Sequence, residues 1–445
     1  MKQSAIVKEN SKNDICFAVY MAMLWSNTIL MRFFRVVLMS IPYICQHADL
    51  IISVAFFSFF LLSISSVIRE IRVKELLIVL AFYGVFYLYY CIFPLNEYYY
   101  ENNQDLVVKE TLPMFLVGIL SFRIDRKRIL KILNQISMAT ILAYAAYMAL
   151  YQTMSESTLS GGDMHAAYML LPHLCLVFYT MVAKANVWKI STFPIGVVCL
   201  LLLGNRGSIL CLSVFIVFTV LFSGRLKRPV LFLVLSTMFL IALFAFGFLE
   251  FLYDFAEQNG FSLRIFEKLE SGELTDSTGR DKIMSKVVEY IQLYPMMGMG
   301  IFADRRIAGG LYAHNIILEI ILHYGIVLGI LILGIILYFV IAAFKYLRKK
   351  KDVMTLGFFS ALIFSYVVKL LLSSSYLVEP YFFFTMGFAY AAVREQKEDR
   401  IAENRTTKCR KTLERAEVKV NEKQTENLCD RYQFSMVRSS CSETD

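Results

Sequence analysis

Apolar residues run through the first 393 positions in stretches separated by short polar or basic segments. Each stretch is close to the roughly 20 residues that an α-helix needs to cross a bilayer. Counted by that length, about twelve spans are predicted, near 15–31, 48–68, 73–93, 107–122, 129–152, 164–183, 189–204, 207–223, 229–250, 312–343, 353–372 and 377–393. The pattern predicts an all-α polytopic membrane protein with residues 1–393 as its transmembrane domain. One segment breaks the rhythm. Glu250 to Ala313 is polar over much of its length, and residues 251–311 read as a long extracytoplasmic loop. Between two spanning helices, such a segment must fold on a membrane face or line a cavity, because unsatisfied backbone groups are costly in hydrocarbon. Beyond residue 393 the apolar runs stop. Residues 394–445 carry mixed charge and few large apolar side chains, which predicts a disordered cytoplasmic tail with at most a transient helix.

Composition strengthens the membrane reading. Charged residues make up 18% of the chain, against about 25% in soluble domains. The first apolar run, from Ile15 to about Met31, has no small-residue cleavage site after it and reads as a first span rather than a signal peptide. The net charge of +9 is a matter of topology and excludes nucleic acid as a partner. Basic clusters at Arg69/Arg72/Lys74, Arg123–Lys131, Lys184/Lys189, Arg225–Arg228, Lys345–Lys351 and Arg394–Arg400 fall at alternate span ends. One assignment puts all of them, and both termini, in the cytoplasm; only Arg32 and Arg35 fit it poorly. The nine cysteines show neither a disulfide framework nor paired metal-ligand spacing.

The candidate chemistry lies on the predicted outer face. Arg206 sits in the tight turn Gly204-Asn205-Arg206-Gly207, where a guanidinium must snorkel or enter a polar pocket. Arg280 follows Thr278-Gly279 and precedes Ile283, Val287, Val288 and Ile291 at helical spacing, so that Ser277 or Thr278 can cap a helix that Arg280 opens. Free amides and a guanidinium at a helix start suit an anion. His314 and Asn315 open the next span after Pro295-Met296-Met297-Gly298-Met299-Gly300 and Gly309-Gly310. An imidazole at the water boundary can take a proton from a hydroxyl. Asn315, Glu319 and His323 recur every four residues as a polar stripe, which an interhelical hydrogen-bond seam would explain, and Gly325 and Gly329 form a packing notch.

Together, the turn arginine, the Gly-Arg of the long loop, the Pro-xx-Gly-x-Gly run and the His-Asn pair resemble the O-antigen ligase and polymerase family. The resemblance implies a GT-C-like, metal-independent glycosyltransferase that needs no cofactor and uses an undecaprenyl diphosphate-linked oligosaccharide as donor. It implies catalytic roles for Arg206, Arg280 and His314. Two arginines would neutralise the diphosphate leaving group and the histidine would deprotonate the attacking hydroxyl. Asn315, Asp304, Arg305, Arg306, His165 and Lys369 are the supporting substrate-binding candidates, and outward-facing tyrosines such as Tyr98, Tyr99, Tyr100, Tyr312, Tyr376 and Tyr381 can stack on sugars. A polymerase of repeat units in a bacterial plasma membrane is the first expectation, with a chain-length regulator and a flippase of the same pathway as partners. A ligase acting on lipid A core is the alternative. A twelve-helix transporter is the rival from another class. It predicts two related halves and midplane ionisable groups, whereas the chain shows no internal repeat and only His173 and His323 near the midplane.

Overall fold

Length and apolarity turn most predicted spans into helices. The computed structural model describes residues 12–26, 29, 33, 47–154, 164–203, 205–222 and 279–407, and none of these is in a strand. Helix α1 covers 12–26, α2 Ala48–Glu70 and α3 Val73–Ile92. A short helix α4 (Glu97–Asp105) leads through a π-helical turn to α5 (Met114–Arg123). Then come α6 (Arg126–Met154), α7 (Met164–Ala183), α8 (Val187–Leu202) and α9 (Arg206–Phe222). After the gap follow α10 (Arg280–Leu293), α11 (Ala303–Ile307), α12 (Ile316–Lys350) and α13 (Val353–Leu362), and residues 380–392 are again helical.

Six helical stretches among the described residues are long and apolar enough to cross a membrane; α8 and α9 are apolar but shorter. The protein is all-α and polytopic. The span predicted near 229–250, the turn residue Gly204 and loop residues 155–163 and 251–278 lie outside the described residues. Two predicted spans pass between α-helical and π-helical winding among the described residues. The one near 107–122 is wound as a π-helix over Leu106–Thr111 before α5, with Pro113 at the junction, where no N–H is available to continue the ladder. The one near 353–372 passes from α13 into a π-turn, Ile363–Val367, and a 3₁₀ turn, Val368–Leu371.

Helix α7 is the centre of the bundle and is buried along most of its length. By contrast, α2 and α3 turn Phe57, Leu62, Leu77 and Leu80 outward, the surface that a membrane helix offers to lipid. Away from the site, α3 and α5 are joined by Arg123, whose guanidinium donates to both Glu75 oxygens at 2.8 and 2.6 Å. Helices α7, α9 and α12 all begin at the same end. Phe178 of α7 meets Phe215 of α9, and Phe218 of α9 meets Phe344 of α12. The chain divides into two compact units, 1–392 and 393–445. Of the second, residues 393–407 are described and are helical, in keeping with their Glu, Gln, Lys, Arg and Ala content. The remainder of the predicted tail lies outside the described residues.

Candidate active site at three helix N-termini

Each of the three catalytic candidates stands at a helix start. Asn205 caps α9: its Oδ1 accepts from Gly207 N at 3.0 Å and Ser208 N at 3.3 Å, so Arg206 is the first helical residue. Arg280 opens α10 after Gly279, which is left-handed at φ 79°. Gly279 thus occupies the cap position considered for Ser277 or Thr278, which lie outside the described residues. Asn315 caps α12 through Oδ1, which accepts from Ile317 N at 2.9 Å and Leu318 N at 3.3 Å. His314 stands just before it at φ 57°. The orphan amides of a helix start and the helix dipole both favour an anion.

The segment between α10 and α12 is a small folded layer with its own core. Val287 packs with Ala303, Ala313 and Leu322, and Ile283 and Ile291 close around them; Val288 is exposed. The Pro295–Gly300 loop then enters a break in α12. Gly325 lies at φ 80°, ψ 170°, outside helical space. Across the break Met299 N donates to Leu322 O at 2.8 Å, Gly300 N to His323 O at 3.1 Å and Ile326 N to Pro295 O at 2.8 Å. The loop therefore satisfies backbone groups that the interrupted helix would otherwise leave open. Asn96 holds the loop from its other side, donating to Met299 O and Ile301 O at 2.9 Å each.

The polar stripe of α12 is a hydrogen-bond seam. Asp304 is fully buried; its Oδ1 accepts from His323 Nε2 at 3.1 Å and its Oδ2 from Ala313 N at 3.0 Å. Burial alone would push the Asp304 carboxyl up, but the hydrogen bond from His323, the Arg305 charge and the Ala313 amide together hold it below the usual range. His323 Nδ1 is hydrogen-bonded with the Tyr376 hydroxyl, and Ser375 Oγ donates to Glu319. The ligand atoms of Asp304, Glu319 and His323 lie within 4.8 Å of one another, and all three side chains are engaged in these hydrogen bonds. The seam fixes Ala313, and with it the turn that presents His314.

Residues 368–376 form a partition beside these helix starts. On one side Arg280 donates to Leu372 O at 3.0 Å and Asn315 Nδ2 to Leu371 O at 3.4 Å. Lys369, on the same segment, is buried in an ion pair with Glu379 and lies over the Tyr168 ring, 4.9 Å from its centroid. Tyr168 is the hub: a Cβ on Gly207 would stand 2.0 Å from its hydroxyl oxygen, and Ser373 hydrogen-bonds with that hydroxyl. His314 is half-buried, with its ring centroid 4.2 Å from that of Tyr312. Its Nδ1 is buried with no hydrogen-bond partner among the described residues. Burial first, and the Arg280 charge second, pull the His314 pKa down to about 4, so the imidazole is neutral at pH 7.

The Lys369–Glu379 pair carries a stability prediction. Lys369→Met leaves a buried carboxylate unpaired and is expected to cost roughly 3–5 kcal/mol, while adding Glu379→Gln should recover most of the loss. Thermal unfolding of the two variants in detergent checks this.

Against known families, residues 192–333 match the family model described as O-antigen ligase. The chain carries an O-antigen ligase family domain. No curated protein and no solved structure matches the chain. Members of the O-antigen ligase family are glycosyltransferase-like enzymes of the ligase and polymerase type, acting on lipid-linked oligosaccharide at a membrane. The matched segment contains Arg206, Arg280 and His314; Tyr168 and Lys369 lie outside it.

Around this O-antigen ligase domain the supporting candidates take different places. Asp304 and Arg305 are buried in the loop layer, with the Arg305 guanidinium over the Phe302 ring. Arg306 is half-buried, Asn315 is a helix cap, and His165 is exposed at the start of α7. Tyr100 and Tyr376, expected to face outward, are buried: Tyr100 packs on Phe86 and Phe302, and Tyr376 belongs to the seam. Tyr98 remains exposed. Tyr168 and Ser373 were not legible, since a tyrosine and a serine inside apolar runs carry no distinguishing spacing.

Proposed function

We propose that the chain polymerises undecaprenyl diphosphate-linked repeat units by inverting glycosyl transfer on the outer face of a bacterial plasma membrane, with both termini cytoplasmic. The observation that carries this reading is the placement of Arg206, Arg280 and His314 at three helix N-termini gathered around Tyr168 and residues 368–373. The donor diphosphate lies against the two guanidiniums and the helix-start amides, which stabilise the charge that builds as the anomeric C–O bond breaks. The acceptor hydroxyl attacks the anomeric carbon from the opposite side, its proton passes to the neutral His314 imidazole, and the diphosphate departs with the bonding electrons. Charge stabilisation by the two arginines makes the transfer independent of metal. A ligase, the activity for which the matching family is named, would share each of these steps and differ only in its acceptor.

Purified protein supplied with a single-repeat undecaprenyl diphosphate oligosaccharide, its products run on a gel, separates these readings. A ladder that disappears in His314→Ala, with turnover down roughly 10²–10⁴-fold, is the expected result. Transfer to added lipid A core without a ladder would make the protein a ligase. A ladder that survives both His314→Ala and Arg280→Ala would remove the site from these residues.

A further inference from the structure

On the other side of the partition lies a cleft of about 940 Å³, at the upper end of the range for sites that enclose a whole ligand. It is not the space around His314. Neither His314 nor either catalytic arginine lines it, whereas Lys369, Ser374 and Glu379 of the partition do. The same short segment therefore offers Leu371 and Leu372 carbonyls to Asn315 and Arg280 on one side and side chains to the cleft on the other.

The cleft is amphipathic along its depth. On α7 its lining runs from His165 at the helix start to His173, a descent of about 12 Å at 1.5 Å per residue. Near the start, the exposed His165, Lys109 and Glu110 line the cleft together with the buried Lys369–Glu379 pair, and Lys109 is also paired with Asp105 at 2.9 Å. Deeper down, the wall is aromatic: the Tyr20 ring of α1 packs on Phe56 and Phe60 of α2, with centroids 5.9 and 5.5 Å apart, and the largely buried Trp25 presents only an edge to the cleft. Lysines suit phosphate and glutamates accept from sugar hydroxyls, so the mixed mouth suits a sugar phosphate better than a bare anion. The wall suits a long hydrocarbon chain, and α2 gives that chain a way in from the membrane, since its outward face is exposed and apolar.

We infer that this cleft binds the second substrate as a lipid-linked sugar phosphate, its chain along Trp25, Phe56 and Phe60 and its headgroup at Lys109, His165 and the partition. The inference rests on the glycosyl-transfer reading above, in which a donor and an acceptor must be held at once. With the donor diphosphate on the arginine side, only the acceptor's phosphate end is held across the partition, and its sugar chain extends past the edge of that segment so that the attacking hydroxyl reaches His314.

The chain has two tryptophans, and Trp188 is exposed, so Trp188→Phe leaves Trp25 as the single reporter in the cleft. Brominated undecaprenyl phosphate is titrated into this full-length variant in detergent while Trp25 fluorescence is followed. Saturable quenching is expected, reversed by an unlabelled lipid-linked repeat unit. Ser53→Phe, which fills the cleft from an exposed position of α2, should raise the half-quenching concentration at least tenfold. Arg280→Ala should leave it within about twofold. Absent or non-saturable quenching would overturn the inference, as would equal quenching by brominated phosphatidic acid, which lacks the isoprenoid chain, or loss of quenching in Arg280→Ala. Because the readout is binding, it fails or succeeds separately from the gel assay for glycosyl transfer.

Discussion

Arg280→Ala is expected to lower turnover by roughly 10²–10³-fold, the loss typical when one preorganised charge-stabilising donor is removed, while the protein still folds. Its guanidinium donates to Leu372 O, an uncharged partner, and the residue is only partly buried, so its removal leaves no buried charge behind. The same variant has a second signature. The Arg280 charge lowers the His314 pKa, after burial, to about 4; removing that charge moves it up toward the ordinary value of about 6.5. A general base must be neutral, so activity falls as pH drops through this pKa, and the acid limb of the pH–rate profile should shift to higher pH in Arg280→Ala. Bound diphosphate acts in the same direction by neutralising Arg280, which places the limb of kcat at higher pH than that of kcat/KM. Measuring both limbs in the unaltered protein and in the variant checks the coupling, and superimposable limbs would refute it. Arg280→Lys should recover little, because a lysine lacks the planar fork that binds two oxygens at once.

The largest structural effect is expected from Gly325→Ala. At φ 80°, ψ 170° the backbone occupies a region that is almost exclusive to glycine, and a Cβ there would stand 2.1 Å from Met296 O. Neither neighbour can give way, since both atoms in the clash belong to backbone tied across the break by three hydrogen bonds. Combining positive-φ strain with overpacking gives a loss of about 4 kcal/mol, enough to unfold a marginal protein. Gly334→Ala is the control, because a Cβ at Gly334 meets nothing within 4 Å. Monodispersity and thermal unfolding in detergent should separate the two variants clearly.

Much of this was legible in the sequence because membrane helices announce themselves by length. α2, α3, α7 and α12 begin within a few residues of the predicted spans, and Arg280 and His314 were read at helix starts, although the cap before Arg280 was sought at Ser277 or Thr278 and the capping by Asn205 and Asn315 came only with the structure. The stripe of Asn315, Glu319 and His323 was readable as a seam from its spacing of four, but its partners were not. Asp304 precedes the span, and Ser375 and Tyr376 lie more than fifty residues on from Glu319, so only tertiary packing joins them. Asp304 was a substrate-binding candidate for its place just before His314; its burial beneath the turn that carries His314 was not readable from that position. Gly325 read as a notch for another helix; it is the seat of the Pro295–Gly300 loop. The π-turns at Leu106–Thr111 and Ile363–Val367 have no signature in an apolar run, and they shape the partition and one wall of the cleft.

The break at Gly325 also decides where the membrane begins. Helix α12 has 35 residues, about 52 Å at 1.5 Å per residue, far more than a hydrocarbon layer of about 30 Å requires. From Ile326 to Phe344 there is no charged or strongly polar side chain, and Lys345 follows; that stretch alone measures about 28 Å. It matches the thickness of the bilayer core without help from the first two turns. Residues Ile316 to Tyr324, with Glu319 and His323 among them, then stand above the acyl chains, in the same layer as α10 and α11. The protein thus keeps its buried carboxylates and imidazole at headgroup level, where a folded layer of loops can solvate them, and gives the oil a clean apolar rod.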